Sequence, residues 1–197
     1  ACDWARKKNL HLLVDEIYHG LHYVDDLPSV LELDQSCFVV SSFSKYFGMT
    51  GWRLGWIVVP EAHIEMANIL AQNLYISASS IAQHAALAAF EIETRLIFEQ
   101  RREAFRGRRD YLSEALKGLG FILPEQTQGA FYLYADISRF SHNSEEFCAD
   151  MLQQHGVAIT PGTDFSECNG NQFVRFAFTT NMDNLELAVA RLQRALQ

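Results

Sequence analysis

The sequence is poor in features that define several other classes of protein. Cysteine and proline each occur 4 times in 197 residues, and the cysteines are far apart without C-x-x-C spacing, so neither a zinc site nor a disulfide framework is predicted. No apolar run is long enough to span a bilayer, and the polar, charged first residues do not resemble a signal peptide. These absences favour a reduced, cytoplasmic setting without a membrane partner.

Basic charge is also scarce. The chain carries 16 Lys and Arg against 24 Asp and Glu, a formal net charge of -8, which argues against nucleic acid and anionic membrane surfaces as main partners. Basic residues do cluster in one run with helical spacing and Glu neighbours, and this pattern predicts a solvated helix face. The run consists of Arg101, Arg102, Arg106, Arg108 and Arg109.

The apolar content of 49% is distributed in a pattern typical of an α/β fold in the first part of the chain. Three short apolar runs fit buried strands of a parallel sheet, at residues 10–14, 37–40 and 54–59. A helix is predicted from Pro60 to about Leu74. A second helix, from Ser80 to Lys117, would be roughly 55 Å long, so we expect it to bend or to bridge two domains.

The second part of the chain is predicted to be a small α+β layer. Strands are expected at 130–136, 157–160 and 172–178. Helices are expected at 144–155, with Ser144 as the N-cap, and at 182–196. The predicted domains are therefore 1–98 and 99–197.

Asp15 and Tyr18 are the first candidates for a functional site. Asp15 ends an apolar strand, and ligands of open α/β sheets bind beyond the carboxyl ends of the strands. Tyr18 is three residues further along and could reach the same ligand. The alternative is that Asp15 only caps the turn that follows the strand.

The loop from Ser42 to Arg53 is the second candidate. Lys45 follows a predicted buried strand and is flanked by hydroxyls and aromatics, a setting that partly removes its amine from solvent and suits Schiff-base chemistry. Ser42, Ser44 and Arg53 offer hydroxyls and a guanidinium that suit a phosphate group. The alternative is a surface loop with solvated Lys and Arg side chains.

Arg175 is the third candidate. It shares a strand face with Phe173 and Ala177, by the two-residue period of a strand. A guanidinium on such a face needs an anionic partner, which is either a ligand carboxylate or an acid of the protein itself.

The order and spacing of these segments resemble those of the fold-type I, class I and II aminotransferases. The similar segments include Val-Asp-Glu-Ile-Tyr at 14–18 and the highly specific Ser-Phe-Ser-Lys-Tyr-Phe-Gly-Met-Thr-Gly-Trp-Arg-Leu-Gly-Trp at 42–56. Gln-Gly-Ala-Phe-Tyr, Pro-Gly-Thr-Asp-Phe and Phe-Val-Arg-Phe-Ala follow at 128–132, 161–165 and 173–177. The resemblance covers essentially the whole chain but only half of the family, and it implies that the chain is the C-terminal half.

The resemblance implies a role for each candidate. Asp15 matches the carboxylate that pairs with the pyridine nitrogen of pyridoxal 5'-phosphate (PLP), and Tyr18 matches the tyrosine that contacts the phenolic oxygen of that cofactor. Lys45 matches the lysine that holds the cofactor and then moves the Cα proton. The remaining candidates match ligands of two anions. These are Ser42, Ser44 and Arg53 for the cofactor phosphate and Arg175 for the substrate α-carboxylate.

The implied activity is amino-group transfer between an amino acid and a 2-oxo acid. By the same resemblance, residues 1–98 would be the C-terminal part of the PLP-binding large domain with part of its sheet, and 99–197 a small C-terminal domain. The full-length form would be a homodimer, and this chain alone would be inactive. Two alternatives stay open: a PLP-dependent lyase or synthase of the same fold, and a non-catalytic fragment or module.

Overall fold

The computed structural model of the protein describes residues 1–125 and 127–197. The chain forms two compact units, residues 1–102 and 103–197. The boundary between them falls inside one long helix, from Ile92 to Leu119.

The first unit is built on a three-stranded mixed sheet in the order β1-β2-β3. Its strands are β1 (Leu13–Asp15), β2 (Phe38–Ser42) and β3 (Gly55–Val58). β1 and β2 are parallel, as predicted, but β3 is antiparallel to β2. A parallel return needs a crossover element, whereas the connection between β2 and β3 contains only one short 3₁₀ turn.

The prediction of buried strands is wrong for two of the three. Every residue of β3 is exposed, and Leu13 in β1 has 58% of its surface exposed. Apolar runs of this kind are typical of strands that are covered on both faces. Within the described residues, the cover over these two strands is incomplete.

The first unit also contains five α-helices, of which the last continues into the second unit. They are α1 (Cys2–Lys7), α2 (Val30–Leu33), α3 (Ile64–Leu74), α4 (Ser80–Leu87) and the start of α5 (Ile92–Leu119). The single helix predicted from Ser80 to Lys117 is therefore two helices. Glu91 separates them because its backbone is extended, with φ −68° and ψ 145°. Phe43, Leu54 and Phe98 form the core here with three alanines of 82–89.

The second unit contains an antiparallel sheet in the order β4-β6-β5, with β4 at Tyr132–Asp136, β5 at Thr160–Pro161 and β6 at Phe173–Ala177. Helices α6 (Ser144–His155) and α7 (Met182–Ala195) complete the unit. The N-cap of α6 is Asn143 and not the predicted Ser144. The Asn143 side-chain oxygen accepts hydrogen bonds from the backbone N–H groups of Glu145 (3.1 Å) and Glu146 (3.2 Å).

One arginine of the basic run is buried, so the prediction of a fully solvated face is wrong for that residue. Arg109 is 7% exposed and donates hydrogen bonds to the Asp110 carboxylate (2.8 Å) and to the carbonyl of Thr127 (3.1 Å). The reason is its helical position. It lies four residues after Phe105 and three before Leu112, on the apolar stripe that faces the core.

Among the described residues, no helix is long and apolar enough to cross a membrane.

Candidate functional site

Asp15 is the last residue of β1, and Tyr18 lies in the turn that follows. Asp15 lies opposite Val40 in the parallel ladder, at the carboxyl end of the β1–β2 pair. Its Oδ1 accepts a hydrogen bond from the Ile17 backbone N–H at 3.0 Å. The turn-capping alternative is thus present in the structure, and the Asp15 side chain is also exposed at the sheet edge where α/β folds bind ligands.

The loop from Ser42 to Arg53 is closed on itself by hydrogen bonds. The Ser44 backbone N–H donates to Ser42 Oγ at 3.0 Å, and the two serine hydroxyl oxygens lie 2.9 Å apart. Thr50 Oγ1 donates to the Ser44 carbonyl at 2.6 Å, and Arg53 Nη1 donates to the Thr50 carbonyl at 3.0 Å. Ser42 Oγ also lies 3.1 Å from the carbonyl of Leu54. The loop thus groups two hydroxyls and a guanidinium near its closure.

Arg53 has a left-handed backbone conformation, with φ 51° and ψ 51°. A non-glycine residue in this region is uncommon, and such residues cluster at functional sites. The Arg53 side chain is exposed. The exposed guanidinium is tied to the same loop by its hydrogen bond to the Thr50 carbonyl.

Lys45 and Tyr18 come together although 27 positions separate them. Lys45 Nζ lies 5.6 Å from the centroid of the Tyr18 ring, within the range of a cation–π contact. Both side chains are half-buried. Lys45 is therefore only partly solvated, and its amine faces the turn that follows β1.

Arg175 lies in the second unit, on β6. Its guanidinium carbon is 4.2 Å from the Tyr132 ring centroid and 4.4 Å from that of Phe165. Among the described residues, no carboxylate forms an ion pair with it, and its buried Nε has no hydrogen-bond partner. The internal salt bridge left open by the sequence is thus absent from the described part of the chain. A half-buried guanidinium between two rings suits an anionic ligand.

Sequence reasoning missed the supporting residues of both groups. Thr50 links Ser44 to Arg53 through two hydrogen bonds, but a single threonine in a loop gives no distinctive signal. Tyr132 and Phe165 flank Arg175. Their only sequence signal is that each ends one of the short segments at 128–132 and 161–165.

Two of the four cysteines are closer than the sequence suggests. The Sγ atoms of Cys2 and Cys37 and a carboxylate oxygen of Asp34 all lie within 4.8 Å of one another. Asp34 is already bonded to Arg6 Nη2 (2.6 Å) and to the Ser36 hydroxyl (2.6 Å), and burial raises the pKa of the Cys37 thiol. A protonated thiol and an occupied carboxylate are poor metal ligands, so we describe these residues as a structural cluster.

The chain belongs to the class I and II aminotransferase family, whose model matches residues 2–192. It is 36% identical to valine–pyruvate aminotransferase of Mycobacterium tuberculosis over 96% of this chain and 49% of that protein. An aspartate aminotransferase of Sulfurisphaera tokodaii is 35% identical over 96% of this chain and 49% of the relative. The crystal structure of an aminotransferase from M. tuberculosis superposes with a TM-score of 0.95 and 36% identity, over 98% of this chain and 51% of that chain.

The match corrects the prediction that this chain is the C-terminal half of a family member. The family model matches from residue 2, at the N-terminal start of this chain, to residue 192. The chain spans about half the length of the relatives that it matches. The chain is therefore a half-length member of the family with an α/β fragment of the PLP-transferase fold, and the prediction that it is the C-terminal half is wrong.

Aminotransferases of this family depend on PLP, and the donor set of the first unit fits that cofactor chemically. The hydroxyls of Ser42 and Ser44 with the Arg53 guanidinium are suited to a phosphate. Lys45 offers a primary amine for an aldehyde, and the exposed Asp15 carboxylate suits a protonated pyridine nitrogen. All are polar groups of one unit, on the turn after β1 and the loop after β2.

Proposed function

We propose that this chain supplies cofactor- and substrate-binding residues for PLP-dependent amino-group transfer between an amino acid and a 2-oxo acid. One observation carries the proposal: Lys45 is half-buried against Tyr18 within a closed loop that also groups Ser42, Ser44 and Arg53. When bound, PLP supplies an electron sink that stabilises negative charge at the Cα of the substrate.

In this proposal, Lys45, Asp15 and Tyr18 have roles in proton transfer and hydrogen bonding. The Lys45 amine would hold the cofactor and, when free, would act as the general base that takes the proton from the substrate Cα. The Asp15 carboxylate would favour a protonated pyridine nitrogen. The Tyr18 hydroxyl would donate a hydrogen bond to the phenolic oxygen of the cofactor, and the Tyr18 ring lies 5.6 Å from the Lys45 amine.

The two anionic groups have separate partners. Ser42, Ser44 and Arg53 bind the cofactor phosphate, supported by the hydrogen bonds that close their loop. Arg175 binds the α-carboxylate of the substrate in a bidentate manner. Its flanking rings restrict the guanidinium plane, and a fixed plane orients the carboxylate.

The domain assignment is proposed on the same basis. Residues 1–98 belong to the PLP-binding large domain, and residues 99–197 form a small α+β domain. The relatives differ in their named substrates, valine and aspartate among them, so the proposal stops at an amino acid and its 2-oxo acid. We also propose a cytoplasmic setting, which the four unpaired thiols support. A homodimer for the full-length form is proposed from the aminotransferase family to which the chain belongs.

Reductive trapping tests the cofactor proposal directly. PLP is added to the chain, the adduct is reduced with borohydride, and the modified peptide is found by mass spectrometry. We expect the pyridoxyl mass on Lys45 and not on Lys7, Lys8 or Lys117, the other lysines of the chain. Lys45→Ala should abolish it, and Lys117→Arg, the matched control, should not. A folded chain without the adduct on Lys45 would contradict cofactor binding by this chain.

A second step separates transfer from elimination. The full-length form, loaded with PLP, is incubated with a panel of amino acids, and the products are identified by chromatography. Transfer leaves pyridoxamine phosphate and a 2-oxo acid. Release of ammonia together with a keto acid would instead support a lyase of the same fold.

A further inference from the structure

Tyr46, the residue after Lys45, packs directly on the backbone of the turn that carries Tyr18. A Cβ atom added to Gly20 would lie 2.6 Å from Cγ and 2.8 Å from Cδ2 of the Tyr46 ring. Gly20 also has a φ of +94°, which side chains of L-residues rarely allow. The ring of Tyr46 therefore occupies space that is open only because position 20 is glycine.

The other end of Tyr46 is fixed to helix α5. Its hydroxyl donates a hydrogen bond to Glu99 Oε1 at 2.5 Å, and Glu99 also pairs with Arg102. The ring makes edge contacts with Phe47 and Phe98, at centroid distances of 5.1 and 5.4 Å. Burial, followed by the Glu99 hydrogen bond, raises the pKa of Tyr46 to about 12. The phenol is thus held as a proton donor to Glu99.

These contacts join the two segments that carry Lys45 and Tyr18. Tyr46 is adjacent to Lys45, and Gly20 is two residues after Tyr18. The Lys45 carbonyl accepts a hydrogen bond from the Gly48 N–H at 3.0 Å, so the backbone of the lysine is held from both sides. The separation of 5.6 Å between Lys45 Nζ and the Tyr18 ring therefore depends on where the Tyr46 ring sits.

Simple core packing does not account for the Tyr46 hydroxyl. Its neighbours Phe47 and Phe98 fill the same core region without polar atoms. A phenylalanine at position 46 would make the same ring contacts. The hydroxyl adds a directional bond to a charged group, which fixes the ring along its own axis.

We infer that Gly20, Tyr46 and Glu99 are positioning residues that hold the Lys45 amine against Tyr18. The inference rests on the proposed function, because Lys45 is the cofactor lysine only in that proposal. None of the three needs to touch a ligand. Gly20 leaves space for the Tyr46 ring, and Glu99 accepts the hydrogen bond of the Tyr46 hydroxyl. Because Tyr46 follows Lys45 in the chain, a fixed Tyr46 also fixes the backbone of Lys45.

The test compares two reactions of Lys45 in the full chain. Competitive acetylation with acetic anhydride reports how accessible the amine is, and PLP trapping with borohydride reports how well it is placed. Acetylation of Lys45 is expressed relative to acetylation of Lys117 in the same sample. PLP trapping is expressed as the fraction of the Lys45 peptide that carries the pyridoxyl mass, and both values come from peptide mass spectrometry. The variants are Tyr46→Phe and Glu99→Ala, each of which removes one partner of the hydrogen bond. Tyr75→Phe is the matched control for the hydroxyl, and Glu103→Ala, which loses the i,i+3 partner of Arg106, is the control for the helix carboxylate.

The expected signature is a divergence of the two reactions. In Tyr46→Phe and Glu99→Ala, relative acetylation of Lys45 should rise about threefold as local opening exposes it, while PLP trapping should fall about tenfold through misplacement of the amine. The double variant should match either single variant, because one contact is lost in all three. The two controls should leave both values unchanged.

The inference is overturned if Tyr46→Phe and Glu99→Ala leave the acetylation ratio of Lys45 unchanged while circular dichroism shows the fold intact. Gly20→Ala should give the same divergence as Tyr46→Phe, and if it does not fold, the two polar variants still decide. Failure of the proposed function looks different. In that case the unaltered chain forms no PLP adduct on Lys45, whereas the acetylation ratios continue to report the positioning contacts.

Discussion

At the scale of single residues, charge and burial set chemical behaviour away from the candidate site as well as within it. Asp34 shows this most clearly. Two hydrogen bonds from Ser36, one from its hydroxyl and one from its backbone N–H, together with the Arg6 guanidinium, lower the pKa of Asp34 to about 2. The folded state therefore favours the ionised carboxylate more strongly than the unfolded chain does.

The depressed pKa of Asp34 predicts a defined acid dependence of stability. The contribution of Asp34 is fully present above the unfolded pKa of about 4, and it is lost as the pH falls from there to about 2. Asp34→Asn should therefore flatten the fall of Tm across this window. Asp3→Asn, which removes the other carboxylate that pairs with Arg6, is the control. An unchanged acid profile in Asp34→Asn would contradict the assignment.

The cysteines should differ widely in reactivity. Burial, with a smaller effect of Asp164, raises the pKa of Cys148 to about 11, so only about one thiol in a thousand is thiolate at pH 8. Cys168 is exposed. Iodoacetamide at pH 8 should alkylate Cys168 first and Cys148 far more slowly, as followed by peptide mass spectrometry. In urea the rates should converge, and equal rates in the native chain would refute the prediction.

At the scale of helices and strands, the N-cap of α6 differs between prediction and structure: the sequence predicts Ser144, and the structure has Asn143. Asn143→Ala should destabilise the chain by about 1 kcal/mol, because two backbone N–H groups lose their acceptor. Ser144→Ala should be nearly neutral, since the buried Ser144 hydroxyl has no hydrogen-bond partner among the described residues. Urea unfolding measures both. A larger loss of unfolding free energy in Ser144→Ala than in Asn143→Ala would indicate that Ser144 is the N-cap.

The sequence predicts elements well where their signals are local. The apolar periods locate α6, α7, β4 and β6 to within a few residues. The break at Glu91 is missed because no proline or glycine marks it. The direction of β3 is missed because apolar content does not distinguish a parallel strand from an antiparallel one.

The candidate site follows the same rule. Residue types and spacing indicate Asp15, Tyr18, Lys45 and Arg175 because the chemistry of each side chain is distinctive. The loop closure through Thr50 and the contact between Gly20 and Tyr46 depend on tertiary packing. Threonine, glycine and tyrosine are all common in loops, so their residue types give no signal. Sequence reasoning therefore finds the groups that could react, and the structure is needed to find what holds them.

At the scale of the whole molecule, the two units differ in how well their sheets are covered. Leu133 and Val174 in the second unit are at most 1% exposed, whereas all four residues of β3 in the first unit are exposed. Hydrogen exchange followed by mass spectrometry should therefore show slow exchange in β4 and β6 and fast exchange in β3. Equal protection of the two sheets would contradict this difference.

The contact between Gly20 and Tyr46 also constrains how the protein can change over generations. Every possible replacement of Gly20 adds at least a Cβ, and that atom meets the Tyr46 ring. A replacement at position 20 is therefore opposed twice, by the Tyr46 ring and by the φ of +94°, and loss of the ring at position 46 would remove only the first obstacle. A side chain at position 20 would in turn meet any aromatic ring that later arose at position 46, so we expect the two positions to change together.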